Sequence, residues 1–465
     1  MPENQLLADL RALVGDWGVV TGDPLRARNY DESAGEVRAE VLVRPRDTEQ
    51  VSAVLKLCSA RGQTVVTHGG LTGLVYGCAA RPNDLILSLE AFNEIENVDV
   101  AGRTMRVQAG VTLQRAQEEA ERFDLMFPLD LGGRGSATIG GNISTNAGGM
   151  RVVRYGMMRS LVLGVEAVLA DGTVLGSLNR MLKNNAGYDL KQLFIGSEGT
   201  LGIVTRADLR LVPRPRSHGT ALVACPDFNA VVKLLATMDA RLGGQLSAFE
   251  VMWPEFYEMT TTAPAVNVPV LPHGLGIYVL IEALGADPQA DTERLEQALG
   301  VALEQGLVVD AVIAKSDLER RAMWAPREDV FQTRRLGPTH NFDVSMAIAD
   351  MPGYLETLRR SLAEHVPGAH LIVFGHVADG NLHLVVAVGE VRHQATFETV
   401  ERCVYEPLRT ISGSISAEHG IGLERKAYLN ISRSAAEIAT MRALKAALDP
   451  RGILNPGKVF DVQPA

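Results

Sequence analysis

The chain has 465 residues, more than one ordinary hydrophobic core organises, so two or three domains are expected. With 46% hydrophobic and 22% charged residues it reads as globular, and no apolar run reaches the roughly 18 residues of a membrane-spanning helix. A net charge of −10 with scattered basic residues argues against a nucleic-acid partner.

In chain order, Met1 to Asp9 carries acids and no basic n-region, which does not fit a signal peptide and leaves the cytoplasm as the expected location. Asp47 followed by Gln50 has the pattern of a capping box. Val51, Val54, Leu55 and Cys58 then lie at helical spacing, and Gly62 stops the run. Gln63–Thr67 predicts a strand running into His68-Gly69-Gly70-Leu71-Thr72-Gly73. Further strands are expected at 85–89, 97–100 and 104–107, the last two around an Ala101-Gly102-Arg103 turn. Pro213 and Pro215 mark a domain boundary. Beyond it, helices over 228–242 and 291–305 with a strand at 276–281 suggest an α+β domain with an antiparallel sheet. Ser434 and Glu437 cap a last helix carrying Ile438, Met441, Leu444 and Leu448, ended by Pro450 and followed by Asn455-Pro456-Gly457-Lys458. Cys58, Cys78, Cys225 and Cys403 stand far apart, without a CxxC pair, and read as reduced, mostly buried thiols.

Three glycine-rich segments stand out. Thr67 to Gly73 follows a strand, where backbone N–H groups could face a phosphate. It is not the Rossmann fingerprint, since no helix pattern opens after Gly73, and it is not a P-loop, since no Gly-Lys-Ser/Thr follows. Alone, such a turn is equally a structural one. The 18 residues Gly132 to Gly149 contain no acid and no large aromatic. As a structural loop they would cost ordering entropy for little burial, and a cofactor lying against their backbone explains them. The third segment runs from Gly196 to Gly202.

Two strand-like runs, 371–376 and 383–388, flank Val377-Ala378-Asp379-Gly380-Asn381-Leu382. If Asp379-Gly380 is a two-residue turn, His376 pairs with His383, with Cβ atoms about 5 Å apart. That suits one shared metal ion. A single histidine reads more simply as a structural residue; two in register across a turn weaken that reading. Glu418, in Ser416-Ala417-Glu418-His419-Gly420-Ile421-Gly422, is an available third ligand, though spacing alone cannot bring it there. Two imidazoles and a carboxylate suit Zn²⁺, Mn²⁺ or Fe²⁺.

Taken together these motifs resemble the FAD-linked D-2-hydroxy-acid dehydrogenases of the vanillyl-alcohol-oxidase superfamily, from Arg44-Pro45 to Asn455-Pro456-Gly457-Lys458. The resemblance implies an α+β fold: a PCMH-type FAD-binding domain of two α+β sub-domains over 1–215, an α+β cap with an antiparallel sheet over 216–415, and a C-terminal helical segment over 416–465 that returns to the FAD domain. Thr67, His68, Gly69, Gly70, Leu71, Thr72 and Gly73 match the family's pyrophosphate loop. Pro128, Leu129, Gly132, Ser136, Thr138, Gly140, Gly141, Asn142, Ser144, Asn146, Ala147 and Gly148 match its flavin-embracing segment. Glu198, Gly199, Gly202, Ile203 and Val204, with Asn381 and Asn455, complete the implied cofactor contacts. Where relatives with covalent flavin carry a histidine this chain has Leu71, so the FAD is expected to be non-covalent.

The implied mechanism places a divalent metal, zinc ahead of manganese or iron, on His376, His383 and Glu418. Arg327 would clamp the substrate carboxylate; without the resemblance it reads equally as a surface or helix ion pair. His419 would be the catalytic base while hydride passes to the flavin. Relatives that oxidise D-2-hydroxyglutarate carry a threonine where this chain has Phe331, an asparagine at Val385 and a lysine at Asn341. The loss of three polar contacts favours D-lactate or another short aliphatic D-2-hydroxy acid over D-2-hydroxyglutarate or D-malate. The resemblance further implies an electron-transfer flavoprotein or quinone as acceptor, and a homodimer. Two other classes stay open on the residues: a His/His/Glu metallohydrolase, which would leave the glycine segments unexplained, and a flavin-binding module without catalysis.

Overall fold

The computed structural model of the chain describes residues 2–28, 30, 35–389 and 393–461. Met1 of the acidic N-terminal stretch and residues 462–465 of the expected C-terminal segment lie outside them. Two compact units divide the chain: Met1–Gly149 with Gly156–Arg214 and Glu418–Ala465, and Met150–Tyr155 with Pro215–Ala417.

The first unit contains two main sheets. In one, the strands run in the order Val19–Thr21, Val41–Val43, Leu85–Ser88, Val65–His68, with the last three parallel. The connection from Val41–Val43 to Val65–His68 is the helix Thr48–Arg61. Asp47 Oδ1 accepts the Gln50 N–H at 2.8 Å, and Gly62 closes the helix at φ 67°. The Gln50 side chain reaches back to the Arg46 N–H, one residue earlier than a strict capping box. The apolar face expected from the spacing is buried. Val51, Val54, Leu55 and Cys58 pack with Leu85, Leu87, Ile453 and Leu454, so truncating Leu55 to alanine would cost about 2–5 kcal/mol.

The second sheet of this unit is antiparallel, in the order Ile95–Asp99, Thr104–Gln108, Ile203–Arg210, Val162–Val168, Val174–Ser177. The glycine-rich stretch is not one long loop. Thr138 caps the helix Ile139–Thr145, which ends at Asn146 in the left-handed region. Gly140 packs against Ala109 so closely that this position of the helix has no room for a side chain.

The second unit is built on a seven-stranded antiparallel sheet, as the sequence suggests. Its order is Asp310–Ile313, Ser217–Cys225, Ile277–Gly285, Leu246–Met252, His370–Gly375, Asn381–Ala387, Thr339–Ser345. The helix Phe228–Leu242 falls where the apolar spacing places it, between the Asp227 cap and Gly243. The second expected helix begins one turn earlier, at Pro288, because Asp287 caps the Gln289 and Ala290 N–H groups and proline fits the first turn. Leu222, Met252, Phe256, Tyr257, Tyr278, Trp324 and Phe374 form much of the core. Among the described residues no helix is long and apolar enough to cross a membrane.

Candidate functional site

In the first unit the expected cofactor segments converge. Asn455 ties two of them: its Oδ1 accepts the Thr67 N–H at 2.9 Å and its Nδ2 donates to the Glu198 carbonyl at 2.6 Å. The Glu198 N–H in turn donates to the Ser144 carbonyl at 2.7 Å. Gly70 lies so close to Ser136 that a Cβ there would overlap the Ser136 carbonyl oxygen. Gly149 has φ 124°, and a Cβ would strike the Asp130 carbonyl oxygen. Its N–H donates to Glu418 Oε1 at 2.6 Å.

Buried polar atoms without a protein partner cluster on these same segments: Thr67 Oγ1, His68 Nδ1 and Asn142 Nδ2. A buried donor or acceptor left so costs free energy, so these atoms fit a polar ligand lying along the loops. Leu71 carries no nucleophile for a covalent flavin link. Asn146 Oδ1 accepts the Arg159 N–H at 2.9 Å, and Ile203 lies in the hydrophobic core. His68 is buried against Tyr30, its Nε2 2.9 Å from the Cys78 carbonyl, and burial lowers its pKa to about 4.

Glu198 also holds the Glu418–Gly422 segment. Its Oε1 and Oε2 accept the Ile421 and Gly422 N–H groups at 2.7 and 2.8 Å. Burial raises its pKa above the ordinary value, against the pull of those N–H groups and of Arg425. Arg425 Nη2 lies 3.2 Å from His419 Nδ1. Arginine only donates, so Nδ1 accepts and the proton of the neutral ring is on Nε2.

In the second unit the histidine hairpin differs from the expected two-residue turn. The strands end at Gly375 and restart at Asn381, and Val377–Asp379 form a turn of 3₁₀ helix. Only Gly380 of the Asp379-Gly380 pair has positive φ, whereas the expected turn needs both. His383 is therefore opposite Phe374, not His376. The two imidazoles nevertheless meet edge to face, centroids 5.1 Å apart, because His376 lies just beyond the strand end.

The sheet register explains the rest of this cluster. Met252, Phe374, His383 and Asp343 are successive cross-strand partners and share one face of the sheet. Two residues along, Ile372, Val385 and Asn341 form the adjacent row. Of the expected specificity positions, Asn341 and Val385 are thus neighbours on the face carrying His383. Phe331 stands apart on the segment Val330–Leu336, 65% exposed, with Arg334 over its ring.

Pairing of Val251 with Gly375 brings Glu250 beside His376. Glu250 Oε1 lies 2.6 Å from His376 Nδ1, and Oε2 accepts from Arg327 Nε at 2.7 Å. Arg327, on the last turn of the helix Asp317–Glu328, is buried, with its guanidinium 4.9 Å from the Phe374 ring centroid. Burial pushes the Glu250 pKa up, but the charges of His376 and Arg327 outweigh it and hold the carboxyl below its usual range. An ionised Glu250 only accepts, so whenever the His376 ring is neutral its proton is on Nδ1 and its lone pair on Nε2. Asp343 Oδ1 lies 3.6 Å from His383 Nδ1. A carboxylate accepting from Nδ1, as Glu250 does at His376, is the usual support of a metal-ligating histidine, and Asp343 stands near Nδ1 of His383, so this donor set fits a divalent metal.

Asn381 falls in this second unit, its Nδ2 donating to Asp343 Oδ1 at 2.7 Å. Glu250 and Asp343 belong to none of the motifs evident in the sequence. For Glu250 the available signal is one acid in the otherwise uncharged run Leu246-Ser247-Ala248-Phe249-Glu250-Val251-Met252.

The chain is similar to known proteins. The FAD binding domain family matches residues 39–176, and the C-terminal domain of FAD linked oxidases matches residues 214–459. D-2-hydroxyglutarate dehydrogenase from Bos taurus, named as mitochondrial, is 40% identical over 91% of this chain and 77% of its own. That from Stutzerimonas stutzeri is 35% identical over 99% of this chain and 100% of its own. Among solved structures, p-cresol methylhydroxylase with substrate bound has a TM-score of 0.78 at 17% identity, covering 100% of this chain and 98% of that one. The fold is therefore the PCMH-type α+β fold, and FAD is the cofactor. With these relatives, the chain belongs to the family of FAD-linked D-2-hydroxy-acid dehydrogenases.

Proposed function

We propose that this enzyme oxidises a short aliphatic D-2-hydroxy acid, D-lactate or a close homologue, to the 2-oxo acid, assisted by a divalent metal. The observation that carries the metal is the pair of imidazoles 5.1 Å apart, each with a carboxylate beside Nδ1. In this reading His376 and His383 supply Nε2 lone pairs and Glu418 supplies the third ligand. Bound FAD, held without a covalent link, supplies the acceptor for a hydride. A bound divalent metal supplies Lewis-acid polarisation of the α-hydroxyl.

This chain's residues do the rest. Arg327 binds and orients the substrate carboxylate, presenting Cα–H to the flavin. His419 takes the hydroxyl proton, so the substrate loses one hydride from Cα and one proton from oxygen and becomes the 2-oxo acid. Since Nδ1 of the resting ring faces Arg425, protonation there goes with release of that contact. The electrons leave through an acceptor such as an electron-transfer flavoprotein or a quinone.

Support for a short apolar substrate comes from Val385, 5% exposed among Ile372, Phe374 and Trp324, beside neutral Asn341 in the row next to His383. A distal carboxylate there would meet no cation from these positions. The second reading, D-2-hydroxyglutarate, is favoured by the activity named for relatives at 35–40% identity. The test is the anaerobic visible spectrum before and after each member of a D- and L-2-hydroxy-acid panel, followed by kcat/KM for the acids that bleach it. Bleaching by D-lactate with higher kcat/KM than for D-2-hydroxyglutarate supports the proposal. The reverse order overturns the substrate, and a flavin no acid bleaches overturns the reaction.

A further inference from the structure

The second unit holds one carboxylate that touches both groups assigned above to metal and substrate. Glu250 lies on a central strand of the seven-stranded sheet, and it is fully buried. Each of its oxygens has its own partner: Oε1 faces His376 Nδ1 at 2.6 Å, and Oε2 takes Arg327 Nε at 2.7 Å. Both partners are themselves buried, which limits alternative rotamers for either. The carboxylate is thus a rigid spacer between a metal-facing imidazole and a carboxylate-facing guanidinium.

We propose that Glu250 is a positioning residue that couples the metal to the substrate clamp, by fixing the Nδ1–H tautomer of His376 and the direction of the Arg327 guanidinium with one carboxylate. The inference rests on the reading of His376 and Arg327 given above. It has a chemical consequence that separates it from simple structural burial. Both partners present an N–H to Glu250, so both need an acceptor. A glutamine offers one acceptor oxygen and one amide that donates. If the oxygen serves Arg327, the amide faces His376 Nδ1 and favours the tautomer with its proton on Nε2, the atom a metal needs. If the oxygen serves His376, Arg327 loses its anchor and turns. Either way one half of the site is misaligned, although Glu250→Gln is nearly isosteric. Aspartate keeps the charge but is shorter by one methylene and spans to one partner only.

A control exists in the same sheet. Glu282, on the neighbouring strand, is equally buried and accepts from Ser247 Oγ at 2.9 Å and pairs with Arg151 at 3.3 Å, without touching His376 or Arg327. Glu282→Gln removes a buried charge of the same kind and reports what that alone does to the protein.

The experiment uses the flavin-loaded full chain as wild type, Glu250→Gln, Glu250→Asp and Glu282→Gln. Zinc affinity is read by competition with a chromophoric chelator, without turnover, and kcat and KM are then measured at saturating zinc with the best acid of the panel. Circular dichroism and the flavin spectrum verify folding. The expected result is zinc affinity weakened about 10–100-fold, or KM raised by a similar factor, in Glu250→Gln, with Glu250→Asp intermediate and Glu282→Gln unchanged in both. If Glu250→Gln folds and neither quantity moves, or if Glu282→Gln moves them equally, the inference is overturned while the metal reading stands. If the wild type takes up no zinc, manganese or iron, the reading beneath it fails and the inference falls with it.

Discussion

Glu198 and Gly422 are 224 residues apart in sequence, yet the Glu198 carboxylate accepts the Gly422 N–H at 2.8 Å and the neighbouring Ile421 N–H at 2.7 Å. One side chain therefore sets the backbone just after Glu418 and His419, and its own main chain is bonded to Ser144 and Asn455. Glu198→Ala leaves two N–H groups without their acceptor and is expected to lower stability by about 2–4 kcal/mol. The flavin should be held more weakly as well, because the Ile421–Gly422 segment loses its tie to the glycine-rich segments, while the main-chain bonds of residue 198 to Ser144 and Asn455 remain. Denaturant unfolding, with flavin release followed by fluorescence, measures both. Glu198→Gln retains one acceptor and should fall between.

The buried His68 predicts a specific pH dependence. Its pKa is about 4 in the folded chain, because burial disfavours the cation, against an ordinary value of 6.5. Above pH 6.5 both folded and unfolded chains hold the ring neutral. As pH falls from 6.5 towards 4 the unfolded chain takes up the proton first, so stability is lost over that window, by about 3 kcal/mol from this group. His68→Gln should flatten this part of the stability curve relative to wild type. Parallel slopes for the two proteins between pH 7 and 4 would show that His68 titrates normally.

Much of this architecture is legible in local patterns. The Asp47 cap, the four apolar positions after it and Gly62 specify one helix, and Ser434 with Glu437 forms the capping box the spacing suggests. The hairpin register was not legible. An Asp-Gly pair favours a tight turn, but here Asp379 stays at negative φ and the loop widens by the 3₁₀ turn, which moves Phe374 opposite His383. Glu250 was hidden for another reason. Its partners, His376 and Arg327, lie 126 and 77 residues away; the pairing of two strands brings in the first, and the helix Asp317–Glu328 carries the second. Likewise Gly132–Gly149 reads as loop from its glycine content, and the tight packing of Gly140 on Ala109 within its helical part is tertiary.

Removal of the proposed metal is expected to leave the flavin in place. The segments suited to FAD belong to the first unit, whereas His376 and His383 belong to the second. Dialysis against a strong chelator should leave the flavin spectrum intact and lower kcat by about a hundredfold or more, with recovery on adding Zn²⁺ or Mn²⁺. His383→Ala should behave like the chelated protein and not recover. Metal analysis with parallel turnover assays tests this, and full activity in protein shown to be metal-free would exclude metal assistance.

Substrate preference is expected to follow the row Ile372, Val385 and Asn341 beside His383. Asn341→Lys adds a cation at an exposed position and should cost little stability, because the ammonium can stay solvated. Val385→Asn is different: it buries an amide where Val385 is 5% exposed among apolar side chains. It should destabilise by about 1–3 kcal/mol unless the amide finds a partner. A charged partner for a distal carboxylate is worth roughly 1.4 kcal/mol or more, so the double variant should raise kcat/KM for D-2-hydroxyglutarate relative to D-lactate at least about tenfold. Phe331→Thr, at an exposed position under Arg334, should add less. Competition between the two acids, with both 2-oxo products quantified, measures the ratio directly. An unchanged ratio in the folded double variant would place specificity elsewhere than this row.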